Sequence, residues 1–437
     1  MHRIVHVPFC YFPEAVGGTE VYVRDLARVQ AARGDAVLIL APGEKPDSYV
    51  HDGIPVVRFQ VSNQIDDVTD LYTADKTDVT QFIDAISRFN ADIVHIHGVS
   101  RGITARGLEA ARSMGAGIVL TYHTPTTTCI RGTLLQHGTH PCDGILDARR
   151  CTACNLTAHG MPTQLASLVA RAPAAAGTVL RAAGIRGRVT TALRMREIVG
   201  LRHEQTRNAL DMADQIVAPA EWVMQLLRSL DVPGEKLTLS RQGVRAPAFM
   251  ARPRVPADQL RVVYVGRVEP VKGIHLLTRA MRAISQAPIE LHVYGVVQGD
   301  AQARYRRDLE DDMQRDPRVH VHPPVAPDQV ISTIAQYDVL AVPSQQFETG
   351  PLVVLEAFAA GLAVVGTRLG GIAELVEDGV NGILVEQGSV LGWTQVLQKL
   401  ATDRALVESL RSKVKTPRSV EAVADDMAMV YRKALAP

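Results

Sequence analysis

Asp338-Val-Leu-Ala-Val-Pro343-Ser344-Gln345-Gln346-Phe347-Glu348-Thr349-Gly350-Pro351-Leu352-Val-Val-Leu355-Glu356-Ala357 runs from a short apolar segment through a polar loop into a helical pattern. A continuous apolar run suits a strand buried on both faces, as in a parallel sheet covered by helices. Pro351 is expected at the first helical position, with Thr349 or Gly350 as the cap. The N–H groups of Gly350, Leu352 and Val353 then face the strand's carboxyl edge, where the helix dipole and a side-chain-free glycine favour an anion. Glu348 and Glu356 flank this cradle. Ionised carboxylates accept several hydroxyl donors strongly and so suit a polyol; the alternative is that Glu356 only caps or salt-bridges its helix.

Working outward, the strand and helix theme appears twice, which is the pattern of parallel βαβ units. In the second half Arg261–Val265, Glu290–Tyr294, Val339–Val342 and Ala363–Gly366 read as strands, separated by helical Ile274–Ser285, Tyr305–Arg315 and Leu352–Ala360. In the first half Ile4–Pro8, Ala36–Leu40, Ile93–Ile96 and Ile118–Tyr122 read as strands, and Glu20–Arg33 as a helix ended by Gly34. Arg245–Ala257 holds Pro247, Pro253 and Pro256 and reads as a linker. Val420–Leu435 is helical in pattern, with Pro417 marking its start. The expected organisation is an N-terminal domain over 1–244 with an insert at about 124–210, a linker over 245–257, a second domain over 258–416 and a helical tail over 417–437.

The 437 residues are 46% hydrophobic and 21% charged, enough apolar material for two cores and too little charge for bulk disorder. With 47 basic against 46 acidic residues, the formal charge of +1 argues against a whole-chain nucleic-acid binder. The opening Met1–Val7 lacks the apolar stretch of a secretory signal, and no apolar run approaches membrane-spanning length. A cytoplasmic location is expected.

Other segments add chemistry. Tyr264-Val-Gly266-Arg267-Val-Glu269-Pro270-Val-Lys272-Gly273 ends a strand and delivers two cations that could converge on a diphosphate, Arg267 as a fork and Lys272 as a point charge. Gly17-Gly18-Thr19-Glu20 opens the first helix after a long loop, but without G-x-G-x-x-G it does not support a dinucleotide site. His95, His97 and His123 finish or approach strand ends, where α/β sites lie; His123 is favoured as a site residue, and core packing is the alternative for the other two.

Together, Gly17-Gly18, His123, Gly266-Arg267, Lys272-Gly273 and the Glu348/Glu356 pair resemble the retaining, GT-B-fold glycosyltransferases of family 4. The likeness is strongest from Val262 to Val385 and includes Glu356-Ala-Phe-Ala-Ala-Gly361 and Gly370-Gly-Ile-Ala-Glu-Leu-Val376. It implies two Rossmann-like doubly wound domains facing a cleft, the first binding an acceptor and the second a nucleotide sugar, with the last helix often crossing back. Arg267 and Lys272 would hold the diphosphate, Glu356 the ribose, and Glu348 with Thr349, Gly350, Pro351 and Leu352 the donor sugar. His123 would sit by the sugar ring, Gly18 beside Gly17 would approach the diphosphate, and Gly266 would lie beside the cations. No catalytic metal is implied, and the chain contains no Asp-x-Asp. The donor would be a UDP- or GDP-sugar and the acceptor a saccharide or a lipid-linked molecule. Val297 and Pro323-Pro-Val325 depart from the family's glycines near the base, and Ala220 stands where a serine is common. A phosphorylase or an epimerase of the same scaffold is the alternative enzyme; a nucleic-acid module is the other class.

Cys129-x12-Cys142-x8-Cys151-x2-Cys154 offers four thiols with one two-residue knuckle, a set expected to hold a structural zinc; reduced thiols, an iron–sulfur centre and disulfides are the alternatives. Met161–Leu210 carries eight Arg against two Glu among apolar residues such as Leu165, Leu168, Ile185 and Val189. Such a segment suits an anionic membrane surface or a phosphate-bearing acceptor; a solvated face on a helical hairpin is the alternative.

Overall fold

A computed structural model describes residues 1–14, 17–61, 79–99, 105–173, 175–185, 187–245, 258–284, 286–296 and 303–436. The linker expected from 245 lies outside the described residues from 246 onward, as does Val297. The chain divides into two compact units, Met1–Ser240 with Ala424–Pro437, and Arg241–Val423.

Among the described residues, the first unit is built on an eight-stranded sheet formed by β1 (Arg3–Val7), β2 (Ala36–Gly43), β3 (Asp47–His51), β4 (Ile54–Gln60), β5 (Ile93–Ile96), β6 (Gly117–Thr121), β9 (Gln215–Ala218) and β10 (Leu237–Leu239). A separate two-stranded hairpin joins β7 (Leu135–Gln136) to β8 (His140–Pro141). The order β10-β9-β6-β5-β1-β2-β4-β3 is parallel throughout except for β3 against β4. Helices cover the sheet, so β5 and β6 are buried along their whole length. The final helix, Val420–Ala434, belongs to this unit from Ala424 onward. It lies so close to β6 that a Cβ on Gly117 would stand 2.9 Å from the Ala434 carbonyl oxygen.

The second unit is a six-stranded parallel sheet of β11 (Leu260–Arg267), β12 (Ile289–Val296), β13 (Val319–His322), β14 (Val339–Val342), β15 (Ala363–Thr367) and β16 (Gly382–Val385), in the order β13-β12-β11-β14-β15-β16. One core packs Val262, Leu277, Leu291, Trp393 and Leu397 on one face. The other gathers Val263, Leu340, Val354 and Ile372.

Among the described residues, the basic segment after the hairpin forms three helices, Thr163–Val169, Ala176–Ala182 and Arg188–Met212, where the alternative reading was a helical hairpin. A Cβ on Gly177 would lie 2.3 Å from Arg194 Cγ, so the short middle helix packs tightly on the long one. The tail helix begins at Val420, the residue expected, and Ser419 just before it bridges to Val244 as a strand-like pair.

Candidate functional site

In the second unit β11 and β14 are neighbours although two strands, β12 and β13, separate them in the chain, so the strand order reverses there. The loops that leave such a pair of strands diverge to opposite faces and open a crevice at their carboxyl ends. Arg267 ends β11, and the chain then makes a tight turn, Pro270–Lys272. Gly273 closes it with φ +75°, and a Cβ at that position would sit 2.0 Å from the Pro343 carbonyl oxygen. Only glycine allows both the backbone angle and the contact. The loop after β14 is pinned to this turn by Gln345 N–H donating to the Val271 carbonyl at 2.7 Å.

These two loops bring Lys272 and Glu348 together: Lys272 Nζ lies 2.7 Å from Glu348 Oε1. Ser344 Oγ donates to the same oxygen at 2.6 Å. Both charged side chains are largely buried, with 19% and 16% of their surface exposed. Burial pushes the Glu348 carboxyl up, but Lys272, Ser344 and the nearby charge of Arg267 outweigh it and hold the group below its usual value. Arg267 itself pairs with Glu269 at 2.9 Å. Each expected cation thus has a carboxylate partner. Gly266 pairs across the sheet with Gly295.

The helix beyond the loop spans Leu352–Ala359, with Pro351 at its cap (φ −65°, ψ 115°). This places Pro351 one position earlier than expected, because its extended ψ keeps it outside the helix while its carbonyl accepts from Val354 N–H at 3.0 Å. The first donors of any helix lack an intrahelical acceptor, so the cradle's chemistry is unchanged by that shift. Thr349 is buried, and Gly350, Leu352 and Glu356 are half-buried at the start of this helix. Gly371 N–H donates to the Glu348 carbonyl at 2.6 Å, and a Cβ on Gly371 would come within 2.7 Å of that oxygen.

Sequence reasoning missed two contributors. Ser344 lay within the quoted motif, and its serine beside a future carboxylate partner was the available signal. Gln242 is distant in sequence yet packs on Gly350, its Cδ 3.5 Å from where a Cβ would be. Its buried Oε1 has no hydrogen-bond partner among the described residues.

In the first unit Gly17 caps the helix Gly18–Ala32, and its N–H donates to Glu20 Oε2 at 2.7 Å. His123 follows β6 and ends a buried chain of imidazoles. His123 Nε2 lies 3.0 Å from His97 Nδ1, His97 Nε2 lies 2.9 Å from His6 Nδ1, and His6 Nε2 lies 2.7 Å from Gln30 Oε1. Gln30 Nε2 donates to Tyr431 Oη at 3.1 Å, Tyr431 contacts His95 Nδ1 at 2.8 Å, and His95 Nε2 contacts Thr121 Oγ1 at 2.7 Å. The amide of Gln30 sets the sense of the links from His6 to His123. Its oxygen must receive a proton from His6 Nε2, which makes His6 Nδ1, then His97 Nδ1, and finally His123 Nδ1 the unprotonated nitrogens. Burial lowers His6 to about 4 and His123 to about 3, and drives His95 and His97 well below the ordinary histidine range. The set is a neutral hydrogen-bonding array, so His123 serves as a polar contact rather than a cation.

The four thiols share one small substructure: Cys129 precedes the hairpin, Cys142 follows it, and Cys151 and Cys154 lie on the helix Ala148–Ala158. His137 N–H donates to Cys154 Sγ at 3.2 Å. Burial and the neighbouring thiols raise Cys151 to about 12. Among the described residues, the sets of three or more metal-ligating groups within 4.8 Å of one another are His6, His95 and His97, and Glu290, His292 and His320; the thiols form no such set.

Residues 17–243 match the family model of a glycosyl transferase 4-like domain, and residues 259–403 match that of glycosyl transferases group 1. The D-inositol 3-phosphate glycosyltransferase of Arthrobacter sp. (strain FB24) is 27% identical over 407 residues, covering 89% of this chain and 83% of that protein. The one of Saccharomonospora viridis is 31% identical over 235 residues, 51% of this chain and 54% of that protein, so this alignment spans about half of each. Sucrose-phosphate synthase from Thermosynechococcus elongatus superposes with a TM-score of 0.66 at 19% identity, covering 98% of both chains. Anabaena HepE, solved with UDP and glucose, gives 0.62 at 16%, covering 98% of this chain and 99% of its own. At these identities the structural likeness establishes the fold, two Rossmann-like α/β units of the GT-B type.

Proposed function

Because the chain belongs to the glycosyl transferase 4-like family and is a glycosyltransferase, we propose that it moves a sugar from a nucleotide-sugar donor to a saccharide or lipid-linked acceptor with retention of configuration. The observation that carries this reading is the Lys272–Glu348–Ser344 cluster beside the Leu352 helix start, at the reversal of strand order. Lys272, Arg267 and the helix N–H groups stabilise the negative charge that gathers on the departing diphosphate. The bond between the anomeric carbon and the phosphate oxygen breaks, the acceptor hydroxyl oxygen bonds to that carbon on the same face, and its proton passes to the leaving phosphate. Glu348 stays ionised and accepts hydroxyls of the donor sugar, Glu356 the ribose, and His123 a hydroxyl of the sugar ring. Fixed cations and amides replace a catalytic metal in this scheme. The UDP complexes of the Anabaena protein make UDP-sugars the first donors to try, ahead of GDP-sugars. The names of the relatives make an inositol phosphate the first small acceptor. A thermal-shift screen of nucleotide sugars, followed by NMR of the product's anomeric proton, tests the reading: an inverted product removes it.

The basic insert supports a peripheral membrane contact on the acceptor side. Leu165, Leu168, Val179, Ile185 and Val189 are exposed there, Val189 at 72%, close in sequence to the exposed Arg171 and Arg188. No helix of the described residues is long and apolar enough to cross a membrane. The residues Cys129, Cys142, Cys151 and Cys154 remain our proposal for a structural zinc, which would require the thiols to close in as they deprotonate.

A further inference from the structure

The second unit's edge carries a cluster that the glycosyl-transfer scheme does not use. Strand β13 is the outermost strand of the sheet, and in its register with β12 His320 lies directly opposite His292. Glu290 stands two residues before His292, and side chains two apart on a strand share a face. Three potential ligands from two strands therefore meet on one side of the sheet edge.

Glu290 makes one long hydrogen bond, to His292, and a still longer contact with His320, separations that an ion between them also fits. Glu290 Oε2 lies 3.4 Å from His292 Nε2, and Glu290 Oε1 lies 3.9 Å from His320 Nε2. Around a tetrahedral zinc with bonds of about 2.0–2.1 Å, ligand atoms stand about 3.3–3.4 Å apart. The first separation already matches that edge, and all three ligand atoms lie within 4.8 Å of one another. The imidazoles of His292 and His320 stack with centroids 4.7 Å apart and planes 28° apart. The other nitrogen of His292 is held by His322 Nε2 at 2.9 Å. A partner on the far nitrogen is what orients a metal-binding imidazole and fixes its tautomer. The side chains of His292, Glu290 and His320 are 15%, 31% and 39% exposed, so an ion has a path in from solvent while part of its shell is already dry.

We propose that Glu290, His292 and His320 form a binding site for a divalent ion of the zinc class, with His322 as the positioning residue behind His292. Two imidazoles and one carboxylate favour zinc, nickel or copper over magnesium or calcium, which prefer all-oxygen shells. The ion ties the edge strand to its neighbour just before Pro323-Pro-Val325. The buried triad of His6, His95 and His97 is not the better candidate, because its ring nitrogens are already engaged by Gln30, Tyr431, Thr121 and each other.

The test is titration of the full chain with Co2+ and with Zn2+ alone, in a Cys142→Ser, Cys151→Ser background that removes the thiol set. One equivalent of Co2+ should bind with visible ligand-field absorption and no thiolate charge-transfer band, and Zn2+ should raise the unfolding temperature. Glu290→Gln and His320→Gln should each abolish both effects while the metal-free unfolding temperature stays the same. His322→Gln should weaken binding about tenfold. Absence of saturable binding in the background chain, or unchanged affinity in both ligand variants, overturns the proposal. Neither result depends on the transfer reaction.

Discussion

Replacing Lys272 by alanine removes one of the two expected cations and its hydrogen bond to the Glu348 carboxylate, which keeps the bond from Ser344 and the nearby charge of Arg267. Loss of one preorganised charge-stabilising donor typically lowers turnover by about 10²–10³, or roughly 2.7–4 kcal/mol. The effect on stability is separate. Breaking a fully buried pair costs about 3–5 kcal/mol and an exposed one about 0–1. With the pair 19% and 16% exposed, an intermediate loss of about 1–3 kcal/mol is expected. The pH dependence identifies the partner. Glu348 has a folded-state pKa held below its unfolded one, so its contribution is complete above the unfolded carboxyl value of about 4.3 and fades as pH falls through the folded value. The gap in unfolding free energy between wild type and Lys272→Ala should therefore be constant near neutrality and close in acid. The assays are urea unfolding from pH 7 down to 3 and steady-state transfer with the donor identified by thermal shift. Near-normal turnover would refute the role of Lys272 in transfer, and a gap that persists unchanged into acid would refute the pairing with Glu348.

Four further outcomes are expected. Gly273→Ala should destabilise the second unit by about 2 kcal/mol or more, since the φ of +75° and the Pro343 carbonyl both oppose a Cβ, and thermal unfolding reads it. Tyr431→Phe leaves the buried His95 and Gln30 each short of a partner and should cost about 1–3 kcal/mol in urea unfolding, with no change at an exposed control such as Met429. Leu168→Asp with Val189→Asp should abolish sedimentation with anionic vesicles without lowering the unfolding temperature; persistent sedimentation removes the membrane contact. Anaerobically purified protein should lose one equivalent of zinc on Cys129→Ser with Cys154→Ser, and a zinc content unchanged by the double substitution removes the thiol site.

Much of the second unit was legible because its strands are apolar on both faces and its turns carry Gly and Pro at fixed places. The Val339–Val342 strand matches the structure residue for residue, and the Ile274 helix starts where expected. β13 escaped because Val319-His-Val-His322 alternates polar with apolar residues, as an edge strand with one wetter face should. The antiparallel β3 escaped for a like reason, since Asp47–His51 is mostly exposed. At the site, Lys272 and Glu348 could be named from motif spacing, but their contact depends on two loops 76 residues apart in sequence. Gln242 had no local signal, because its place beside Gly350 arises from tertiary packing. Single histidines were visible at strand ends; that Gln30 and Tyr431 join them into one buried array is a property of strand order and of the last helix.

The most direct measurement is a crystal structure with a bound nucleoside diphosphate. The account predicts density for the diphosphate within hydrogen-bonding distance of Lys272 Nζ, the Arg267 guanidinium and the Leu352 N–H. Density at the carboxyl ends of other strands, with Lys272 still engaged only by Glu348, would contradict it.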